Sequence, residues 1–252
     1  MHSRLLLEYD GSRFCGWSRQ PGCRSVQEEV ERALAVVLRQ PAVSLTVAGR
    51  TDAGVHALGQ VASYAGSPAG VRSLNALLPE DVAVLSCESA QPGFDARRDA
   101  TSRAYTYRVL TRPGKPALER GRVLHWPHRM ELQVLEECAA ALVGTHDFTA
   151  FTPAESEHVR FSRRVLAAFW RERGGGLVEF SVEADAFMRH MNRVLVGTML
   201  EVCSGRRSVR DFCALLEGRP RCAAGRTAPA HGLYLVGVGY GGRRVLGDCG
   251  DA

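Results

Sequence analysis

Apolar and polar positions alternate from Arg4 to Tyr9 with the period of a half-buried strand, until Asp10-Gly11-Ser12 breaks the run. Ser25-Val26-Gln27-Glu28 then reads as a capping box opening a helix to about Arg39, with Val26, Val30, Ala33, Leu34, Val37 and Leu38 on one face. Strands are expected at Ser44 to Val47 and Gln60 to Tyr64, a short helix at Val71 to Leu78, and a strand at Val82 to Cys87. This β-α-β-β-α-β order is that of a ferredoxin-like unit.

A second unit begins near Arg103. Arg103, Tyr105, Tyr107 and Val109 share one strand face, and Leu132, Leu135, Cys138, Ala139 and Leu142 mark a helix to Val143. Strands at Arg164 to Arg171 and Leu177 to Ala184 are joined across Gly174-Gly175-Gly176. A helix from about Phe187 to Val202, a capped short helix from Ser208 to Leu216 and a closing strand from Gly232 to Tyr240 complete the pattern. The Gly/Arg-rich residues after Tyr240 are expected to be loose. The reading is an α+β chain of two domains, 1–102 and 103–252, with no internal sequence repeat.

The 252 residues are 45% hydrophobic, enough for a packed core, and disorder is not expected. No apolar run approaches a membrane span, and Met1 to Leu5 leads straight into strand alternation, so the expectation is a soluble, cytoplasmic protein. Eight cysteines (15, 23, 87, 138, 203, 213, 222 and 249) include no Cys-x-x-Cys and read as reduced small hydrophobes. His125-x-x-His128 is the one close histidine pair and has no further ligand at metal-site spacing, so no metal is expected.

The net charge is +5, and of 32 basic residues only Lys115 is a lysine. Coding bias explains part of that composition. The clusters Arg97-Arg98, Arg103, Arg108, Arg112, then Arg160, Arg163-Arg164, then Arg206-Arg207, Arg210 favour an anionic partner, with nucleic acid leading.

Three residues carry candidate chemistry. Asp52 lies between Arg50 and Gly54 in a polar stretch joining two strands; by itself such an Asp is a turn former. Tyr105 sits on a strand face, where core packing is the ordinary role. Arg193 interrupts an apolar helix, where arginine ordinarily reaches for water. Gly197 four residues on leaves space beside that guanidinium, and a partly buried arginine calls for a carboxylate partner.

Tyr9-Asp10-Gly11-x-x-Phe14-x-Gly16-Trp17, Ser25-Val26-Gln27, Gly49-Arg50-Thr51-Asp52-Ala53-Gly54-Val55-His56, Phe94-x-Ala96-Arg97 with Arg103-x-Tyr105-x-Tyr107, and His146-Asp147-Phe148-x-x-Phe151 resemble the tRNA pseudouridine synthase A family. Phe187-Met188-x-His190-Met191-x-Arg193-x-x-x-Gly197 and Thr227-Ala228-Pro229-Ala230-x-Gly232-Leu233-Tyr234-Leu235 extend the resemblance, which covers residues 4 to 240 in order. It implies a cofactor-free isomerase that converts uridine to pseudouridine in the anticodon arm of tRNA. It also implies a homodimer with two ferredoxin-like domains per chain and the active site between them. Carried over, Asp52 is the catalytic carboxylate, Arg193 its basic partner, Tyr105 the aromatic that stacks on the target base, and Arg50 an aid to base extrusion. Substrate contacts are implied at Tyr107, Arg97, Gly54, His56 and Phe148.

Ser18, Asp95 and Thr152 depart from the family's usual glutamine, histidine and arginine, and Asn192 and Val194 exchange its valine and asparagine around Arg193. The chemistry suits an ionised Asp, which can attack the sugar C1′, attack base C6, or take the C2′ proton; the sequence leaves these open. Two other classes compete, an RNA-binding module without catalysis and a hydrolase of the N-glycosidic bond.

Overall fold

The computed structural model describes residues 1–156 and 159–247, so Cys249 lies outside the described residues. The first part of the chain forms β1 (His2–Tyr9), α1 (Val26–Leu38), β2 (Thr46–Val47), β3 (His56–Ala65), α2 (Val71–Leu77) and β4 (Val82–Ala90). It continues as β5 (Ala100–Leu110), β6 (Leu124–His125), α3 (Leu132–Leu142), β7 (Gly144–Asp147), β8 (Ser162–Gly174), β9 (Leu177–Ala184), α4 (Met191–Cys203), α5 (Val209–Ala214) and β10 (Leu233–Tyr240). The described residues gather into two compact units, one of Met1–Thr101 with Tyr234–Val245, the other of Ser102–Leu233 with Leu246 and Gly247.

In the first unit β1 lies antiparallel between β4 and β3, with Leu5 opposite Cys87 on one side and Ala62 on the other. Leu5, Leu7 and Tyr9 are buried while Arg4 and Glu8 face water, which is the alternation of the sequence made physical. The remaining edge of β3 is shared: β2 pairs antiparallel with Ala62 and Ser63, and β10 pairs parallel with His56 and Ala57. The strand order is therefore β4-β1-β3-β2, with the closing strand brought back to complete the same edge. Val26, Val30, Ala33 and Leu34 bury the face of α1.

In the second unit β5-β9-β8-β7 are consecutive antiparallel neighbours and β6 adds parallel to β5. The register sets Tyr105 opposite Val182 and Tyr107 opposite Phe180. Leu135, Cys138, Ala139 and Leu142 of α3 are fully buried, and α4 is buried almost all round.

Four local expectations differ from what forms. Ser25 stands at the N-cap of α1, but its side chain makes no capping bond and its Oγ is buried without a partner; the true capping box is Ser208 with Asp211 on α5. α4 starts at Met191 rather than Phe187, because His190 adopts a left-handed backbone (φ 62°) that no helix continues through. The two-residue β6 and the four-residue β7 carry too short a pattern to be read from sequence. Residues 241–247 are tied down rather than loose: Gly242 N–H bonds Thr101 Oγ1 (3.3 Å), and Leu246 N–H bonds Glu183 Oε2 (2.9 Å). Glu183 is fully buried and also accepts from Ser102 Oγ (2.5 Å), so donors from the tail satisfy a carboxylate that has no access to water.

Candidate active site

In the first unit, two separate sequence motifs form one packed object. The turn at Asp52 is closed by Val55 N–H to Asp52 O (3.1 Å), with Gly54 in a left-handed conformation (φ 77°). The Phe14–Trp17 segment grips that turn through backbone, Trp17 N–H to Thr51 O (3.1 Å) and Gly54 N–H to Phe14 O (3.4 Å). Gly16 permits the grip: its φ is 103°, and a Cβ there would lie 2.7 Å from Thr51 O. Beneath the turn, Tyr9 Oη is 2.7 Å from Thr51 Oγ1, and Gln60 Nε2 donates to Gly49 O (2.8 Å) and to Tyr9 Oη (3.2 Å). Burial then alternates along the turn, with Arg50 exposed, Thr51 buried and Asp52 half-buried.

His56, expected to touch substrate, is buried and anchors this loop. Its ring stacks on Tyr234 at 4.6 Å, and its Nδ1 lies 3.1 Å from Gly11 N and 3.2 Å from Asp10 Oδ1. A backbone N–H is always a donor, so Nδ1 is the acceptor and the neutral ring carries its proton on Nε2; an ion pair through Nδ1 with Asp10 is not the arrangement. Asp95, where the family has histidine, accepts from the N–H groups of both Arg97 and Arg98 (2.8 Å each), so it serves as a turn-forming carboxylate. Arg97 itself is exposed.

In the second unit, Tyr105 is 7% exposed and stands edge-on to Phe187 at 5.1 Å. Arg193 is half-buried on α4 and clamped by one residue from both directions: its Nε donates to Ala228 O (2.8 Å), and its carbonyl accepts from Ala228 N–H (3.0 Å). Gly197 does not make room for the guanidinium. A Cβ there would lie 1.8 Å from Arg226 O, so the glycine lets the 225–228 backbone lie directly on α4. Tyr107 and Phe148, where the resemblance implies substrate contacts, are both fully buried. Tyr107 Oη donates to Pro229 O (2.8 Å), and Phe148 packs in an aromatic row with Phe151 and Phe212. Burial pushes the Tyr107 phenol well above its usual range, opposed by the nearby Arg193 charge.

Sequence reasoning gave no role to Tyr9, Gln60, Ala228 or His231. Gln60 had a signal, an amide inside an apolar strand. His231 had none; it is half-buried, and burial, with Arg193 nearby, lowers its pKa against a backbone bond at Val123. Several arginines assigned to phosphate contacts have internal partners: Arg98 on Asp99, Arg108 on Glu119 and Glu179, Arg207 on Glu201. Among the described residues no group of three or more His, Cys, Asp or Glu is placed to hold a metal.

A protein from Frankia casuarinae named tRNA pseudouridine synthase A is 46% identical to this chain over 244 residues, covering 94% of the chain and 88% of that protein. Proteins of the same name from Methylococcus capsulatus (42% identical, covering 95% of this chain and 90% of that protein) and Bacillus subtilis (39%, covering 95% and 99%) match at similar length. This chain belongs to the tRNA pseudouridine synthase A family. The family described as tRNA pseudouridine synthase also matches residues 138–241, the stretch that contains α4 and the 225–228 segment lying against it. The glycines at 16 and 197 have a physical reason in this chain: each is a place where one backbone lies on another.

Proposed function

We propose that this chain isomerises uridine to pseudouridine in the anticodon stem-loop of tRNA, with Asp52 as the catalytic carboxylate. The observation that carries the reading is the 50–54 turn: its backbone is held on two sides, Thr51 is buried, and Arg50 and Asp52 are left with open surface, in a chain whose relatives are named tRNA pseudouridine synthase A. The reaction breaks the N1–C1′ bond, turns the base within the site, joins C5 to C1′ and releases the C5 proton. Asp52, ionised, supplies the nucleophile or base for the first step. Arg193, on the second unit, is the basic partner that keeps the carboxylate ionised. Tyr105 is the platform for the extruded base, a contact worth about 1–3 kcal/mol, and Arg50 assists extrusion.

The two ferredoxin-like domains, the homodimer and a cytoplasmic location complete the reading; in support of the last, no helix among the described residues is long and apolar enough to cross a membrane. The same chemistry on another RNA is the alternative.

The test is tritium release from tRNA transcripts carrying 5-[³H]uridine, with products mapped by position. Wild type releases tritium and leaves pseudouridine in the anticodon arm, while Asp52→Ala binds tRNA with unchanged affinity and releases none. Release by Asp52→Ala removes Asp52 from the chemistry; wild-type binding without release on any tRNA leaves a binding module.

A further inference from the structure

The hydrogen bonds beneath the 49–52 turn have a direction. Gln60 Oε1 accepts from Val61 N–H (3.2 Å), which fixes the amide so that Nε2 faces Gly49 O and Tyr9 Oη. Gln60 therefore donates to the Tyr9 oxygen, and the Tyr9 and Thr51 hydroxyls share a hydrogen bond of 2.7 Å. Tyr9 and Gln60 are buried on β1 and β3, rigid strands at the centre of the first unit's sheet. Gly49 and Thr51, the two residues they hold, flank Arg50 and lead directly into Asp52. The sheet thus grips alternate positions of the turn and leaves the intervening ones outward.

From this we propose that Tyr9, Thr51 and Gln60 are positioning residues of the site, a buried hydrogen-bonded chain that fixes the backbone carrying Arg50 and Asp52 so that the carboxylate is held in one place before substrate arrives. The proposal rests on the reading of Asp52 as the catalytic carboxylate and adds what orients it. Burial pushes the Tyr9 phenol up to about 12, while its bonds to Thr51 and Gln60 pull the other way. A tyrosine in that state keeps its proton throughout the neutral range. Fixed support of this kind matters because displacing a reacting group by about 1 Å lowers rate by about 100-fold without altering what the ligand's remoter parts touch.

The experiment uses Thr51→Val, Thr51→Ser and Tyr9→Phe in the full-length protein, read three ways. In single-turnover tritium release, Thr51→Val and Tyr9→Phe fall by about 10-fold to 100-fold with tRNA Kd unchanged, and Thr51→Ser, which keeps the hydroxyl, stays within about threefold of wild type. The double variant Thr51→Val with Tyr9→Phe is no slower than the worse single, as for two members of one unit. In native-state hydrogen exchange, the amides of Gly54 and Val55 exchange at least about tenfold faster in Thr51→Val and Tyr9→Phe, while the centre of β1 is unchanged. Multiplying single-variant effects, or unchanged rates and unchanged exchange at Gly54 and Val55, overturns the proposal; so does equal loss in Thr51→Ser and Thr51→Val. Should Thr51→Val not fold, Tyr9→Phe decides by the same two readouts. The exchange arm judges the positioning claim independently of tRNA, so a wild type that releases no tritium removes the pseudouridine reading and leaves this one to be decided by exchange.

Discussion

Replacing Gly197 by alanine sets two physical effects in opposition. By helix propensity alone the change stabilises by about 1 kcal/mol, since Gly197 lies inside α4. The neighbouring chain reverses the sign. The added Cβ would lie 1.8 Å from Arg226 O and 2.9 Å from its carbonyl carbon, some 1.6 Å short of ordinary van der Waals contact with the oxygen, and both are backbone atoms that cannot rotate aside. The 225–228 segment must lift off the helix. That lift strains Ala228 N–H to Arg193 O (3.0 Å), Arg193 Nε to Ala228 O (2.8 Å) and Gly225 N–H to Thr198 Oγ1 (3.0 Å). Overpacking at about 1–3 kcal/mol and two or three weakened bonds at about 1 kcal/mol each outweigh the helix gain, leaving a net loss of about 2–5 kcal/mol. For a chain of this size that lowers Tm by at least about 4 °C, measured by thermal unfolding monitored by circular dichroism. Because Arg193 loses its anchor, single-turnover tritium release falls by at least about tenfold in the same variant. A Tm equal to or above wild type would refute the reasoning, because it would mean that the 225–228 backbone yields without penalty.

Tyr107→Phe removes the bond to Pro229 O, so the expected loss is about 0.5–1.5 kcal/mol with tritium release near wild type; a release defect above about tenfold at unchanged Tm would give Tyr107 a part in the reaction. His231 gives a pH dependence of definite sign: its folded pKa lies below the ordinary 6.5, so the unfolded chain binds a proton that the folded chain resists. Its contribution to stability is complete above about pH 6.5 and is lost as pH falls from there through the folded value, and His231→Gln flattens that part of the Tm–pH curve; equal slopes in the two proteins exclude it. If tRNA is held through phosphates, log affinity falls with log salt by about 0.7–0.9 per contact, giving a total slope of several; a flat dependence excludes the arginine surface as the grip.

The order of elements was legible in the sequence because strand and helix periods are local. Arg4 to Tyr9 alternates and is β1; Leu135, Cys138, Ala139 and Leu142 repeat at helical spacing and line the buried face of α3. Arg193 stood out because an arginine in an apolar helix conflicts with its surroundings, whereas Asp52, an ordinary turn residue by itself, became a candidate through the motif around it. What holds those candidates was not legible. Gly16 and Gly197 look like flexible residues in a string of letters, and only the crossing of distant backbones reveals that each is required by lack of space. Arg98, Arg108 and Arg207 contribute to a positive total, yet which arginines have carboxylate neighbours depends on distant pairs such as Arg108 with Glu179, seventy-one residues apart. Ser25 followed by Glu28 carries the local sign of a capping box, but the burial of Ser25 Oγ without a partner was decided by packing. The sequence by itself determined the fold class, which follows from periodicity, and the candidate residues, which follow from the resemblance of its motifs to a known family. Only the tertiary structure decided that the closing strand returns to the edge of β3, and that Tyr9, Gln60 and Thr51 meet under Asp52, because those contacts join positions with no shared local pattern.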